Sequence, residues 1–266
     1  MHRKVLILSD LHSGHVTGLT PPAYQLKGHT SEPRWDKLVE VQKQIWKWFA
    51  TTLQDEGPFD HTIVNGDCID GSGDRSGGTE LITTDRLQQA DIACMVLEQI
   101  PTKKFTFTYG TPYHTGNCED FEKIIAKHFK AKIGSHEWIK IGGLTLDIKH
   151  HLASSGVAVG HATPLVKEIV YNNLWAQRGE QPQADIIIRS HVHSYTHCEV
   201  RVGEQLVHAV STPSLQGYGS KFGARKCSKP VDVGFLVLDI QKEGGKITFN
   251  LRPLIAQLPI LRAGAA

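Results

Sequence analysis

The sequence lacks several features that would assign it to a class at once. Its five cysteines include no C-x-x-C pair, and its formal charge at pH 7 is only +2. An odd number of cysteines without paired spacing favours reduced thiols over a disulfide framework. A charge this close to zero argues against a general polyanion binder, so a basic surface for a partner would have to be local.

The N-terminus also lacks a long hydrophobic run. Only the residues from Val5 to Leu8 are consecutively apolar there, fewer than a signal peptide or a membrane span requires. No repeat, low-complexity tract or linker divides the 266 residues, and we expect a single domain that spans residues 1–266. These absences predict a soluble, cytoplasmic protein without membrane association.

Segments typical of strands and helices alternate in the first half of the chain. Runs rich in Val, Ile, Thr and Phe predict strands at 4–10, 61–67, 104–110, 144–150, 184–190, 206–211, 234–240 and 246–251. Apolar residues at helical spacing predict helices at 35–56, 84–100, 118–130 and 165–178. The alternation favours parallel βαβ units, and the strands near the C-terminus favour antiparallel pairs. We therefore predict an α/β fold.

Histidine is abundant, with 15 residues, and several histidines and aspartates follow predicted strands. These strand-end residues are Asp10, His12, Asp67, Asp70, His150, His151, His191 and His193. The carboxyl ends of strands in an open α/β sheet converge on one crevice. Unpaired polar groups are costly to bury there, and a cation offsets that cost. The pattern therefore predicts a metal site.

The types of ligand narrow the chemistry. Imidazoles with carboxylates and no thiolate suit Zn, Fe, Mn or Ni, and argue against a structural cysteine–zinc site. Gly66 would let the backbone approach closely at Asp67, so this aspartate could bridge two ions. Two ions would stabilise an in-line displacement at phosphorus and would lower the pKa of a bridging water.

At these residues the chain resembles the calcineurin-like metallophosphoesterase superfamily. That family is marked by D-x-H, G-D-x-x-D, G-N-H-[DE], a further His and G-H-x-H at strand ends. The matching segments occur here in the family's order, at residues 10–12, 66–70, 150 and 190–193. The resemblance implies two mixed β-sheets packed as a sandwich flanked by helices, a four-layer αββα fold.

The resemblance also implies the metal ligands. Two divalent ions are expected, with manganese favoured and zinc, iron or nickel as alternatives. The ligands of the first ion would be Asp10, His12 and His193. His150 and His191 would bind the second ion, and Asp67 would bridge the two.

The family's third motif is altered in this chain. After the strand predicted at 104–110, the sequence reads T-P-Y-H-T-G-N-C-E-D. Either His114 is the catalytic acid on a longer loop, or residues 116–119 replace G-N-H-E with a cysteine in place of the histidine. Imidazole titrates near neutrality and suits an acid better than a thiol, which favours His114. The loop at 110–116 and the long segment 13–35 resemble those of phosphoesterases from tailed phages and prophages.

Other residues near the third motif have open roles. Asn117 is interpreted first as a helix N-cap, and it could also be an amide ligand of the second ion. Thr111 stands where the family has its asparagine and is a weak ligand, so water could complete this site. By the resemblance, Asp70 would orient His114.

Substrate contacts are expected beside the metals. His151 follows a ligand, Arg75 lies in the Gly-rich segment 70–78, and Lys221 and Arg225 lie in the Gly-rich segment 214–229. Basic residues in such loops are commonly only solvated, but this location favours phosphate binding. Tyr218 and Phe222 among these charges would suit a nucleic-acid strand.

The predicted function is a dinuclear metal-dependent phosphoesterase. By the resemblance, a metal-bridging hydroxide would attack phosphorus in line, and His114 would protonate the leaving oxygen. A phosphodiester is favoured as substrate, with nucleic acid as a candidate. The alternatives are a phosphomonoesterase of the same fold, or a catalytically impaired metal-binding scaffold for protein interaction. The altered third motif supports the scaffold, whereas the otherwise complete ligand set opposes it.

Overall fold

The structure is a computed structural model that describes residues 1–27, 33–74, 76–115, 120–154, 160–218 and 230–258. Strands β1 to β11 are His2–Leu8, His61–Asn65, Phe105–Thr108, Lys132–Gly134, Glu137–Ile141, Leu144–Ile148, Ile186–Arg189, Thr196–Val202, Gln205–Ser211, Gly234–Glu243 and Lys246–Ile255. Helices α1 to α5 are Pro33–Glu56, Arg86–Leu97, Pro112–Thr115, Phe121–His128 and Thr163–Gln177. None of the described helices has the length and apolar character needed to cross a membrane.

The strands form two mixed sheets. The first has the order β11-β10-β1-β2-β3-β4, in which β1 to β4 are parallel and β10 and β11 are antiparallel additions. The second has the order β5-β6-β7-β9-β8, in which β6, β7 and β9 are parallel and the two edge strands are antiparallel. In both sheets, therefore, the central parallel strands direct their carboxyl ends to one edge.

The sheets pack face to face and helices cover both outer faces. Val5 and Ile7 of β1 lie in the core between the sheets, whereas Leu6 and Leu8 face the helices α1, α2 and α4. The apolar run in β1 is continuous because both faces of the strand are buried. Helix α5 covers the second sheet through residues such as Leu165. The predicted four-layer αββα fold is confirmed.

Some boundaries differ from the predictions. Strands β4, β5 and β8 were not predicted, and β1 and β2 end two residues earlier than expected. The early ends arise because Asp10 and Asp67 leave the extended conformation for positive φ. The Gly-rich segment 214–229 was predicted to be a surface loop, but its first residues are in the interior. Leu215 is fully buried, and Gly217 lies against Ile45 of α1.

Candidate metal centre

The backbone is unusual where the strands end. In the described part of the chain, six non-glycine residues have positive φ, and five of them are predicted metal ligands. These are Asp10 (52°), His12 (45°), Asp67 (51°), His191 (75°) and His193 (55°). Each such residue costs on the order of 1–3 kcal/mol, and this kind of strain clusters where function requires it. The turns direct these side chains into the cleft at the common edge of both sheets.

The first group of ligands consists of Asp10, His12 and His193, whose side-chain atoms lie close enough to share an ion. His193 Nε2 lies 3.1 Å from Asp10 Oδ1 and 3.2 Å from His12 Nε2, and the latter lies 3.9 Å from Asp10 Oδ1. Tetrahedral coordination at the usual zinc–nitrogen distance separates ligand atoms by about 3.3 Å. The triangle therefore has the size of one face of a metal site.

The second group consists of Asp67, His150 and His191. His150 Nδ1 donates to the carbonyl oxygen of Asn65 at 2.7 Å, which leaves Nε2 directed toward Asp67 Oδ2 at 3.0 Å. Asp67 is held in turn by Thr111, whose backbone N–H donates to Oδ1 at 2.6 Å. Fixing the ring orientation through the second imidazole nitrogen is the usual arrangement for a metal-binding histidine.

Two atoms in this cleft are buried without a hydrogen-bond partner in the described structure. They are Asp10 Oδ1 and His150 Nε2, whose contacts with His193 Nε2 at 3.1 Å and Asp67 Oδ2 at 3.0 Å are not aligned for hydrogen bonding. An unsatisfied buried polar atom is costly, and these two belong to different ligand groups only 4.0 Å apart. Divalent cations among these oxygens and nitrogens would satisfy both, so the residues fit a metal centre.

The charges in the cleft suit coordination as well. Burial by itself would raise the pKa of Asp10, but His193 and His150 hold it at about 2. Burial opposes a charged His150, yet Asp67 and Asp10 raise the pKa of this ring to about 10, so the metal-free ring carries a proton that a bound cation would displace. The pKa of Asp67 is also lowered, because the histidines around it outweigh its burial. The acids are therefore ionised at neutral pH, as metal binding requires.

Glycines permit the close contact between the loops that carry these ligands. A Cβ at Gly66 would lie 2.6 Å from His150 Nδ1, and one at Gly110 would collide with Asp67 Oδ1. Gly66 has φ +79°, which other residues rarely adopt. Glycine at these two positions thus lets the loops after β2 and β3 pack directly against the ligands.

Asp70 makes two separate contacts, one through its backbone and one through its carboxylate. Its backbone carbonyl accepts from His114 Nδ1 at 2.8 Å, so Asp70 does contact the predicted acid. Its carboxylate, however, bonds to His12 Nδ1 at 2.9 Å and lies 3.8 Å from His114. The backbone carbonyl of Asp70 therefore orients His114, and its carboxylate orients the predicted ligand His12.

His114 lies at the rim of the cleft on the short helix α3. With Nδ1 donating to the Asp70 carbonyl, Nε2 is the nitrogen that faces the ligands, 4.0 Å from Asp67 Oδ2. The ring packs edge-on against His12, with centroids 4.6 Å apart. His12, Asp67 and His114 could themselves share an ion, so the position suits an acid or a ligand.

Glu122 is a part of the site that the sequence reasoning missed. It is fully buried on α4 and accepts hydrogen bonds from the backbone N–H groups of Cys68 (2.9 Å) and Gly110 (2.6 Å). Burial and the nearby Asp67 raise the pKa of Glu122 to about 7. An acidic residue in the first turn of α4 was the available signal, but it resembles ordinary helix capping.

The predicted substrate contacts are only partly described. His151 is exposed beside the second ligand group, and its ring centroid lies 4.9 Å from that of His191. It borders a groove with Lys149 and Tyr109. Arg75, Asn117, Lys221 and Arg225 lie outside the described residues, as do Cys118 and Phe222.

We expect replacement of Asp70 by Ala to weaken metal binding about 10–100-fold, the usual cost of removing a partner of a ligating histidine. The backbone contact to His114 would remain. The metal affinity of Asp70→Asn should lie between those of the unmodified protein and Asp70→Ala, because an amide oxygen still accepts from His12 but carries no charge. Metal titration calorimetry measures the change, with Asp74→Ala in the same loop as control. Equal affinities for Asp70→Ala and Asp74→Ala would contradict the assigned contact.

Comparison with known proteins gives only distant similarities. No family model matches the sequence, and no curated protein matches it. Solved structures with a similar fold include zinc-bound Vps29 from Entamoeba histolytica, at 13% identity and TM-score 0.42 over 94% of this chain and 98% of that one. An archaeal phosphodiesterase matches at 16% identity and TM-score 0.45 over 94% and 99% of the two chains.

A third structure is the sulfate thiohydrolase SoxB from Thermus thermophilus, at 13% identity and TM-score 0.44 over 95% of this chain and 56% of that one. These values leave the function of the chain to be inferred from its own residues.

Proposed function

We propose that the chain is a metal-dependent phosphoester hydrolase of the calcineurin-like metallophosphoesterase superfamily, with a phosphodiester as substrate. The observation that carries the proposal is the convergence of Asp10, His12, Asp67, His150, His191 and His193 on one cleft. Their strained backbone and the two unsatisfied buried atoms support a centre built for cations. Imidazole and carboxylate ligands accept manganese, zinc, iron or nickel, and we favour manganese.

Some residues of the cleft would bind the metal ions, and others orient these ligands. Asp10, His12 and His193 would bind one ion, His150 and His191 the other, with Asp67 between them. Two bound ions would polarise the phosphoryl oxygens and lower the pKa of a water in the cleft. Asn65, Thr111 and Asp70 fix the orientation of the ligands through the contacts described above.

His114 would supply the proton for the leaving oxygen. Its Nδ1–H is committed to the Asp70 carbonyl, so the proton would be delivered from Nε2, which faces the cleft. The ring is partly exposed, and its proton can therefore be replaced from water after each turnover. Histidine is the side chain that most often serves as a general acid or base.

The proposed substrate class depends on what borders the cleft. Exposed His151 offers a hydrogen-bonding group beside the second ligand group, and Lys149, whose Nζ is paired with Glu168 at 3.2 Å, lines the same groove. Such an open border favours an extended phosphodiester, with nucleic acid as a candidate partner, over a small monoester. Cys68, Cys94 and Cys198 are free thiols, which agrees with the proposed cytoplasmic location.

The test compares hydrolysis of bis-p-nitrophenyl phosphate with that of p-nitrophenyl phosphate. We expect manganese-dependent turnover that favours the diester, that is lost with EDTA and that returns when Mn²⁺ is added. Asp67→Asn should abolish turnover, because the amide cannot bridge two cations, whereas Asp74→Asn in an exposed loop should not affect it. A preference for the monoester would reject the phosphodiester assignment. Stoichiometric metal binding without turnover of either compound would favour the scaffold.

A further inference from the structure

A second cluster of potential ligands lies outside the cleft, on the edge of the second sheet. His197 and Glu199 are two residues apart on β8 and therefore project to the same face. His208 on β9 is the register partner of Glu199 and faces the same way. Their ligand atoms lie within 4.8 Å of one another. None of these residues has a role in the proposed reaction.

The geometry of this cluster closely repeats that of the first ligand group. His208 Nδ1 lies 3.2 Å from His197 Nε2 and 3.3 Å from Glu199 Oε1, and the latter two atoms are 3.9 Å apart. The corresponding separations among His193, His12 and Asp10 are 3.2, 3.1 and 3.9 Å. Both triangles match the ligand spacing of a four-coordinate ion, about 3.3 Å.

Hydrogen bonding alone explains this triangle poorly. His208 Nδ1 faces two partners at nearly equal distance, but a neutral imidazole nitrogen carries either a proton or a lone pair. If the proton is directed to Glu199, His197 Nε2 faces a donor that is already in use. If His208 Nδ1 instead accepts from His197 Nε2–H, Glu199 Oε1 faces a lone pair at 3.3 Å.

The surroundings leave one side of the cluster open. The His208 ring packs edge-on against Phe249 of β11, with centroids 4.8 Å apart, which forms an apolar wall. Glu199 is about half exposed, and the histidines are more buried. An ion here would have three protein ligands and a fourth position directed to water. Two imidazoles, one carboxylate and an open position are a ligand set typical of zinc.

We propose that His197, Glu199 and His208 form a separate mononuclear site for a zinc-type transition-metal ion. The site does not depend on the proposed phosphoesterase activity, since it shares no residue with the cleft. It would fasten the edge strand β8 to β9 and present an open coordination position at the edge of the sandwich.

Metal counting after chelation and reloading with Zn²⁺ tests the proposal. We expect His197→Gln and Glu199→Gln each to bind one ion fewer per chain than the unmodified protein, while keeping its turnover. Loss of a ligand should weaken binding by more than the roughly 10–100-fold that removal of a ligand's partner costs. The matched control is His128→Gln, which removes an exposed histidine bonded only to Glu98 among the contacts described.

Repeating the count in a chain with Asp10→Asn and His150→Gln separates this site from the cleft. In this double variant one ion should remain, bound by His197, Glu199 and His208, and adding His197→Gln should remove it. Co²⁺ provides an independent signal, because four-coordinate Co²⁺ absorbs visible light strongly, and this absorbance should disappear with His197→Gln. Equal ion counts in His197→Gln, Glu199→Gln and His128→Gln would overturn the proposal. Thermal melting of the metal-free variants shows whether each one is folded.

Discussion

Replacing His114 by Ala is expected to lower kcat on an alkyl phosphodiester by about 10²–10⁴-fold, the usual contribution of a general acid. The reason lies in the orientation of the ring, whose Nδ1 is held by the Asp70 carbonyl and whose Nε2 faces the ligand cleft. The metal content should not change, because both ligand groups remain complete without His114. Steady-state kinetics and metal analysis of the same preparation measure the two quantities together.

The dependence on the leaving group distinguishes an acid from a positioning residue. A p-nitrophenolate group leaves without being protonated, so His114→Ala should affect bis-p-nitrophenyl phosphate much less than an alkyl diester. A residue that only positions the substrate would affect both to the same extent. His114 could also act as a ligand, because His12, Asp67 and His114 lie close enough to share an ion. If His114→Ala binds one ion fewer than the unmodified protein, His114 is a metal ligand and not the general acid.

Much of the site could be predicted because its members follow strands. Apolar runs reveal the buried strands, parallel strands share an edge, and the residue types at their ends indicate metal chemistry. Asp10, Asp67 and His150 required no knowledge of loop geometry. The two mixed sheets followed from the family resemblance, and their packing is confirmed.

The contacts between loops could not be predicted in the same way. Whether the Asp70 carboxylate points to His12 or to His114 depends on how a glycine-rich loop turns, and both partners are distant in sequence. Glu122 acts through the placement of α4 against two loops, which no local pattern encodes. Strand β8 was missed because it is an edge strand with partly exposed residues and little apolar character.

Arg189 is expected to be a large determinant of stability. Its side chain is 2% exposed and lies 2.7 Å from both Asp147 and Glu168. It links β7 to β6 close to the ends of these strands, after which His191 and His150 follow. Replacing it by Met would leave the buried Asp147 with only its contacts to His136 and Asn172, at an expected cost of about 3–5 kcal/mol. Urea unfolding at neutral pH measures the loss.

A matched comparison is available in Arg252, which makes a similar pair with Glu56 at 3.0 and 2.7 Å but is 34% exposed. Arg252→Met should cost only about 0–1 kcal/mol, because water reaches and screens this partly exposed pair. Adding Asp147→Asn to Arg189→Met should recover part of the stability, since it removes a buried charge that has lost its guanidinium partner. Equal losses in Arg189→Met and Arg252→Met would contradict the importance assigned to burial.

The acid dependence of stability provides a further measure of the same pair. Burial raises the pKa of Asp147, but the hydrogen bond from His136 and the charge of Arg189 hold it at about 2, below the ordinary value of 3.8. A carboxylate whose pKa is lowered by folding stabilises the protein above its unfolded pKa and loses that contribution as the pH falls toward the folded pKa.

In Arg189→Met the pKa of Asp147 should rise, so this contribution should be lost at higher pH. Acid unfolding followed by circular dichroism should therefore begin at higher pH in Arg189→Met than in Arg252→Met. Coincident acid transitions would show that Arg189 does not control the ionisation of Asp147.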